Sequence, residues 1–385
     1  MKILEVLDSF YPNVDGPVNV IVNIAKILNE KKLAEVELLV PDFPKQRKEI
    51  EGVKVHRCVS MKAPEGYRAG LPFLNSKVKK LIKKGNFDII HVHSPFTLGK
   101  YVIKKAKKYK IPTLMTVHTQ YKSDFERTLK LKCLQKFMLN YIMKGVNNAD
   151  YVLSVSNQAG EVVKSYGYKG DKVYIIRNGT DLKPVKISDE TLKAIEKEYG
   201  LENLFVFLFV GRIVENKNIQ FSLEVLKKIK EAGLNNFKFL IVGGGDYSVK
   251  LKELAKEYNL EENVIFAGKI YDRAKLSAIY QSADLFLFPS TFDTCGIVAI
   301  EGAANSLPSV MIENSCASEV VANGVNGLAL PENSEVWKDE IIKVMQDKNL
   351  LSKMKEKALQ DIYVHWEDIV LQYYDFYKKV LEEKK

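Results

Sequence analysis

Short, continuously apolar runs alternate with amphipathic stretches of helical period along the whole chain, and that alternation leaves few folds open. Phe205-Val-Phe-Leu-Phe-Val210 is the clearest of these runs. A strand with no polar side must be covered on both faces, which is the condition inside a parallel sheet flanked by helices. Seven candidate strands fall in the first half, at 2–7, 36–40, 53–59, 88–93, 113–118, 151–156 and 173–177. Five more fall in the second, at 204–211, 237–243, 263–267, 284–289 and 309–312. Strand–helix alternation repeated twice predicts an α/β protein of two doubly wound, Rossmann-like domains. A chain of 385 residues is also too long for one ordinary core. The turn Asn178-Gly179-Thr-Asp181, with Pro184 beyond it, places the join at 182/183. The first domain then spans 1–182 and the second 183–363, and the amphipathic stretch 364–385 is expected to cross back onto the first.

The charge is lopsided: residues 1–182 carry a net +15 and the remainder −5. A basic half points to an anionic partner. No nucleic-acid reader motif accompanies it, which leaves an anionic membrane surface. Three segments carry the charge. One is 76–84, with Lys79, Lys80 and Lys83, and another is 100–110, with six lysines. In the third, 128–146, Leu134, Phe137, Met138, Tyr141 and Ile142 recur at helical spacing among Lys130, Lys132, Lys136 and Lys144. Such a helix either packs on its own sheet or lies in a bilayer interface. No apolar run is as long as a membrane span. The opening Met1-Lys-Ile-Leu-Glu-Val-Leu-Asp8 turns acidic at once and reads as a first strand, not a signal peptide. Cysteines 58, 133, 295 and 316 lack CxxC spacing, as reduced thiols of a cytoplasmic protein would. The histidines form no zinc pattern, and the alternation His91-Val-His93 is read as sending two mostly structural rings to opposite faces.

Doubly wound sheets bind ligands beyond the carboxyl ends of their strands, so the residues just past each strand matter most. In Phe292-Asp293-Thr-Cys295-Gly296-Ile297-Val298-Ala-Ile-Glu301, two carboxylates flank a glycine where a loop becomes a helix. Backbone N–H groups and the helix dipole there suit a phosphate. Glu301 could reach the vicinal hydroxyls of a ribose and Asp293 a second polyol, which describes a sugar-nucleotide site. Gly211-Arg212 and Lys217 come after another strand, and two cations five apart can converge on a diphosphate or simply be solvated. Gly243-Gly244-Gly245-Asp246 is not GxGxxG and does not argue for NAD. Gly16-Pro17 lies beyond the first strand, where glycine lets backbone approach a ligand. His118, with Thr-Gln-Tyr121 after it, ends a strand and could donate to a sugar hydroxyl or be structural.

In order and spacing these elements resemble retaining glycosyltransferase family 4, of the GT-B fold, over nearly the whole chain. The resemblance implies two Rossmann-like domains facing across a cleft, the second holding an NDP-sugar donor and the first an acceptor. Carried over, Arg212 and Lys217 would hold the diphosphate, and Cys295, Gly296, Ile297 and Val298 would line phosphate and sugar. Glu301 would take the ribose, Ile270 the base, and His118 the donor sugar, with Gly16 beside the phosphates. Asp293 stands where the family usually has Glu, one methylene longer, and Pro17 where a second glycine is common. His118, Arg212, Lys217 and Asp293 are thus the expected catalytic residues. Tyr121, Lys79, Lys80, Lys83, Lys130 and Phe137 are expected at the acceptor or membrane. The segments Asp88-Ile-Ile-His-Val-His-Ser-Pro-Phe96 and Val117-His-Thr-Gln-Tyr121 look most like bacterial diacylglycerol glycosyltransferases and phosphatidylinositol mannosyltransferases. The implied activity is transfer of a hexose, from a UDP-sugar in preference, to a membrane lipid such as diacylglycerol. No metal or other cofactor is implied, and the implied place is peripheral, on the inner face of the cell membrane. A transferase of capsule or cell-wall polysaccharide and a non-catalytic nucleotide-sugar-binding protein are the other readings.

Overall fold

The computed structural model describes residues 1–13, 15–63 and 67–384. The chain divides into two compact units, one of 1–178 with 366–385 and one of 179–365. The last helix, Trp366–Glu382, is therefore part of the first unit.

The first unit is built on β1 (Lys2–Val6), β2 (Glu35–Pro41), β3 (Lys54–Cys58), β4 (Ser60–Lys62), β5 (Arg68–Gly70), β6 (Ile89–Val92), β7 (Thr113–Val117), β8 (Tyr151–Ser154) and β9 (Val173–Ile175). Seven of these form one parallel sheet in the order β3-β2-β1-β6-β7-β8-β9, and β4 and β5 pair separately as an antiparallel ribbon. The second unit has β10 (Phe205–Arg212), β11 (Phe237–Gly244), β12 (Val264–Gly268), β13 (Leu285–Phe288), β14 (Ser309–Ile312) and β15 (Gly327–Leu330). Its order is β12-β11-β10-β13-β14-β15, again parallel. Both sheets are doubly wound and reverse direction once, beside β1 in the first unit and beside β10 in the second. A crevice opens at the carboxyl ends of the strands at such a reversal.

All twelve expected strands are present. β4, β5 and β15 are additional, for a common reason. None has the continuous apolar run that marks a central strand: β4 and β5 are polar, and Gly327-Leu-Ala-Leu330 is a short edge strand. The expected runs are buried as such, Phe207, Phe209, Phe239 and Phe286 being wholly inaccessible. The stretch 128–146 is not one helix but lies across a break, Tyr121–Thr128 ending before Lys132–Val146 begins. Among the described residues, no helix is long and apolar enough to cross a membrane.

Two helix starts place functional backbone. Helix Gly16–Glu30 is capped by Asp15, whose carboxylate accepts from the Val18 N–H at 3.0 Å, and Pro17 sits in its first turn, where a missing N–H leaves no bond unmade. Helix Ile297–Ala304 starts from Gly296, whose φ of +64° is left-handed and favours glycine.

Candidate active site

In the second unit the expected residues gather at the carboxyl ends of β10 and β13, the two strands at the reversal. β10 ends in Arg212, whose exposed guanidinium makes no ion pair among the described residues. A single 3₁₀ turn, Glu215–Lys217, then turns Lys217 inward. The loop after β13 brings Asp293 to meet it, and the Lys217 ammonium donates to both Asp293 oxygens at 2.6 Å. The sequence does not anticipate this pair, since it points Lys217 to phosphate and Asp293 to sugar. An ammonium has three N–H bonds, so pairing with one carboxylate leaves a donor for an incoming phosphate oxygen. The shorter Asp293 still reaches its lysine.

Helix Ile297–Ala304 runs away from this pair and carries Glu301 inward, where it is 8% exposed. One Glu301 oxygen accepts from Arg273 Nη2 at 2.9 Å and the other from the Tyr280 hydroxyl at 3.1 Å. Arg273 also pairs with Asp181. Burial pushes the Glu301 carboxyl up, and Arg273 and Tyr280 oppose it. No signal in the sequence singles out Arg273 or Tyr280. Both come from helix Arg273–Gln281, and the packing of that helix beside the next one brings them to Glu301. Each Glu301 oxygen keeps a lone pair with which to accept from a vicinal diol. Ile270 is half-buried in the loop after β12, and Cys295 is buried at the helix entry. Val298 and Ile297 form the first turn of that helix.

In the first unit, β1, β6 and β7 are neighbours, and their carboxyl ends assemble a buried polar chain. Glu5 accepts from His93 Nε2 at 2.6 Å, and His93 Nδ1 lies 2.8 Å from His118 Nε2. The Tyr377 hydroxyl, from the last helix, donates to the other Glu5 oxygen at 2.8 Å. His91 Nδ1 lies 2.8 Å from that hydroxyl, and its Nε2 2.7 Å from Thr116 Oγ1. The expectation that the His91 and His93 rings face opposite ways is overturned: their centroids are 4.0 Å apart. Residues two apart along a strand share a face. Glu5, His91 and His93 are also the one group among the described residues placed to hold a metal ion. Every imidazole nitrogen in that group already has a hydrogen-bond partner, so its polar atoms are satisfied without an ion.

Burial drives the His93 imidazole down to about 4, His91 adding to the effect and Glu5 opposing it. Burial would raise Glu5, but His91 and His93 outweigh it and hold the carboxyl at about 2. Burial also pushes His118 well below its ordinary value. These shifts make stability depend on pH. The unfolded chain takes up a proton on His93 below about pH 6.5, while the folded protein resists until about 4. The stabilisation is complete above about pH 6.5 and is lost as pH falls toward 4, a difference of roughly 3 kcal/mol. Urea midpoints measured from pH 7.5 to 4.5 are expected to fall, and His93→Gln is expected to flatten the slope.

Tyr121 opens helix Tyr121–Thr128. It is 3% exposed, packed edge-on against Phe96 and beside Phe125, and so takes no part in a membrane-facing surface. Lys79, Lys80 and Lys83 are exposed on helix Ser76–Lys84, just after the exposed Phe73 and Leu74. Helix Lys132–Val146 is anchored by Ile142, Met143 and Val146 at its far end. Its near end leaves Leu131 and Phe137 each 63% exposed, with Leu134 between them. Lys130, Lys132 and Lys136 surround these apolar side chains in the sequence, and Lys132 is exposed.

The two doubly wound parallel sheets are those of the GT-B fold. Residues 14–184 match the model of Glycosyltransferase Family 4, and residues 192–361 match that of Glycosyl transferases group 1. The chain belongs to this glycosyltransferase family. It is 28% identical to the alpha-monoglucosyldiacylglycerol synthase of Acholeplasma laidlawii, over 91% of this chain and 90% of that protein. It is 27% identical to the N-acetyl-alpha-D-glucosaminyl L-malate synthase of Bacillus anthracis, over 81% and 80%. Among solved structures, Anabaena Alr3699/HepE in complex with UDP superposes with a TM-score of 0.78 at 19% identity, over 98% of this chain and all of that one.

Proposed function

We propose that this protein transfers a hexose from a nucleoside-diphosphate sugar, in preference a UDP-sugar, to a lipid acceptor such as diacylglycerol, with retention of anomeric configuration. The observation that carries the donor half is the second unit's site. Arg212 and Lys217 stand at the strand ends beside a glycine-started helix, with the half-satisfied carboxylate of Glu301 one turn along. Arg212, Lys217 and the amides of Gly296, Ile297 and Val298 stabilise the charge that develops on the leaving diphosphate. The acceptor hydroxyl attacks from the face the diphosphate leaves. Side-chain cations supply the positive charge, so turnover proceeds in EDTA; a requirement for added Mg²⁺ or Mn²⁺ would refute this.

The lipid half rests on the apolar residues Leu131, Leu134 and Phe137, exposed among lysines. They form a face suited to an anionic bilayer interface, which supports a peripheral position on the membrane's inner face. The Acholeplasma relative, named for a glucosyldiacylglycerol, supports the same acceptor class. In flotation with vesicles containing anionic lipid the protein is expected to rise with them. Binding should weaken as salt goes from 0.1 to 1 M, where the screening length drops from about 10 to 3 Å. Leu131→Ser with Phe137→Ser should abolish it. Absence of binding at low salt would favour a soluble acceptor; the Bacillus relative is named for L-malate.

A further inference from the structure

Arg57 lies at the carboxyl end of β3 in the first unit's sheet, the side on which doubly wound sheets take ligands. Its side chain is 12% exposed, and the buried Phe10 ring lies against the guanidinium with its centroid 5.0 Å away. One nitrogen, Nη2, donates to the Lys48 carbonyl oxygen. The other two, Nε and Nη1, are buried without a hydrogen-bond partner. Three of the five guanidinium N–H bonds are therefore unmatched among the described residues. The charge is poorly matched as well. Asp42 is engaged by Arg47, which donates to it from Nε at 2.8 Å and from Nη2 at 2.6 Å. Glu49 Oε1 stands 3.7 Å from Arg57 Nη2, and Glu49 is 75% exposed. Burial draws the Arg57 guanidinium below its ordinary pKa, with Glu49 and Asp42 opposing and Arg47 adding to the shift. Arg273 is the contrast. Its Nε is also unmatched, but Asp181 and Glu301 both contact its guanidinium. A buried cation without a contacting carboxylate is costly, and an incoming anion removes that cost.

We propose that the Arg57 guanidinium is an anion-binding site of the first unit and takes a phosphate group, carried either by the headgroup of an anionic phospholipid or by a soluble phosphate ester. The site goes beyond the function proposed above, whose acceptor is uncharged, and does not depend on it. A phosphate presents several acceptor oxygens to the unmatched N–H bonds, and a planar guanidinium is the side chain that suits them. Glu49 is the group displaced: it holds the place of an anion at 3.7 Å, and its exposure lets it return to water at little cost. The surroundings favour the lipid source. Asn75 donates to the Arg57 carbonyl oxygen at 3.4 Å and caps helix Ser76–Lys84. The site is thus tied to the helix on which Lys79, Lys80 and Lys83 are exposed.

The test uses the full-length protein with ¹⁵N in its arginine side chains. Inorganic phosphate, glycerol phosphate and monomeric dihexanoyl phosphatidylglycerol are titrated separately and read at the Arg57 Nε–H resonance. That resonance is assigned by its loss in Arg57→Lys or by its displacement in Glu49→Gln. It is expected to move saturably, and the Arg212 resonance reports any phosphate bound in the second unit instead. Affinity at least about tenfold higher for the lipid identifies the headgroup as the source, and similar affinity for all three identifies a soluble ester. No saturable movement at Arg57 with any of the three, or movement at Arg212 alone, would overturn the proposal. Arg57→Lys keeps the charge but not the planar array of donors, and is expected to weaken binding by about tenfold or more. Unchanged affinity in that variant would also overturn it. Glu49→Gln removes the competing carboxylate and is expected to tighten binding; a weakened affinity would refute the displacement. Glu49 is exposed, so that variant keeps the test available if Arg57→Lys does not fold.

Discussion

Lys217→Ala is expected to lower kcat by roughly 10²–10³-fold, the usual consequence of removing one preorganised donor from developing negative charge. Its ammonium is the inward-facing cation of the site, 12% exposed, and Asp293 fixes it through two 2.6 Å contacts. A cation held this way needs no reorganisation as the diphosphate leaves, so its effect belongs to the transition state. The loss should therefore appear in kcat and kcat/KM alike, with little change in donor KM. The fold should survive. Lys217 sits in the 3₁₀ turn beyond β10, outside the core, and Asp293, 22% exposed, can be rehydrated when its partner goes. The cost to stability is then about 1 kcal/mol. Circular dichroism and the urea midpoint check that half of the expectation. Turnover within tenfold of the parent would remove Lys217 from the diphosphate.

Gly243→Ala is expected to have the largest effect on stability, about 3 kcal/mol or more. In register with Gly211 across β10 and β11, Gly243 has a φ of +149°. A Cβ there would come within 1.8 Å of the Gly211 carbonyl oxygen, a backbone atom that cannot swing aside. The strands would have to part at their carboxyl ends, the point at which Arg212 lies opposite Gly244. The urea midpoint of the variant should fall well below the parent's, and donor binding should weaken with it. Gly200→Ala is the control. Its φ is also positive, +60°, but nothing lies within 4 Å of its Cβ, so only the backbone conformation resists. An equal, small effect of both substitutions would refute the close-approach argument.

The features legible in the sequence are the local ones. A buried parallel strand announces itself by a run such as Phe205 to Val210, and a glycine-started helix by Gly296 with apolar residues after it. The strand end therefore places Arg212, and the helix places Glu301. The partnerships are not legible, because they depend on which strands are neighbours. Lys217 meets Asp293 only because β13 lies beside β10, and Arg273 reaches Glu301 only because helix Arg273–Gln281 packs near the next helix. Glu5, His93 and His118 converge because β6 lies between β1 and β7. Nothing in the spacing of three residues on three strands foretells that order. The packing of Tyr121 is likewise illegible in the sequence: its ring fills space against Phe96 and Phe125, one of them 25 residues away. Phe137 and its neighbours are the opposite case. Their helical spacing fits a core as well as a membrane face, and only the exposure of the near end of helix Lys132–Val146 separates the two.

The central claim is retaining transfer of a hexose from a nucleotide sugar to a lipid. It is tested most directly by incubating the protein with a panel of UDP- and GDP-hexoses and anionic vesicles containing diacylglycerol, in EDTA, and analysing the organic phase by NMR. The expected result is consumption of one donor, release of its nucleoside diphosphate, and an α-linked hexosyl lipid from an α-linked donor. A β-linked product, or no consumption of any donor by the folded protein, would contradict it.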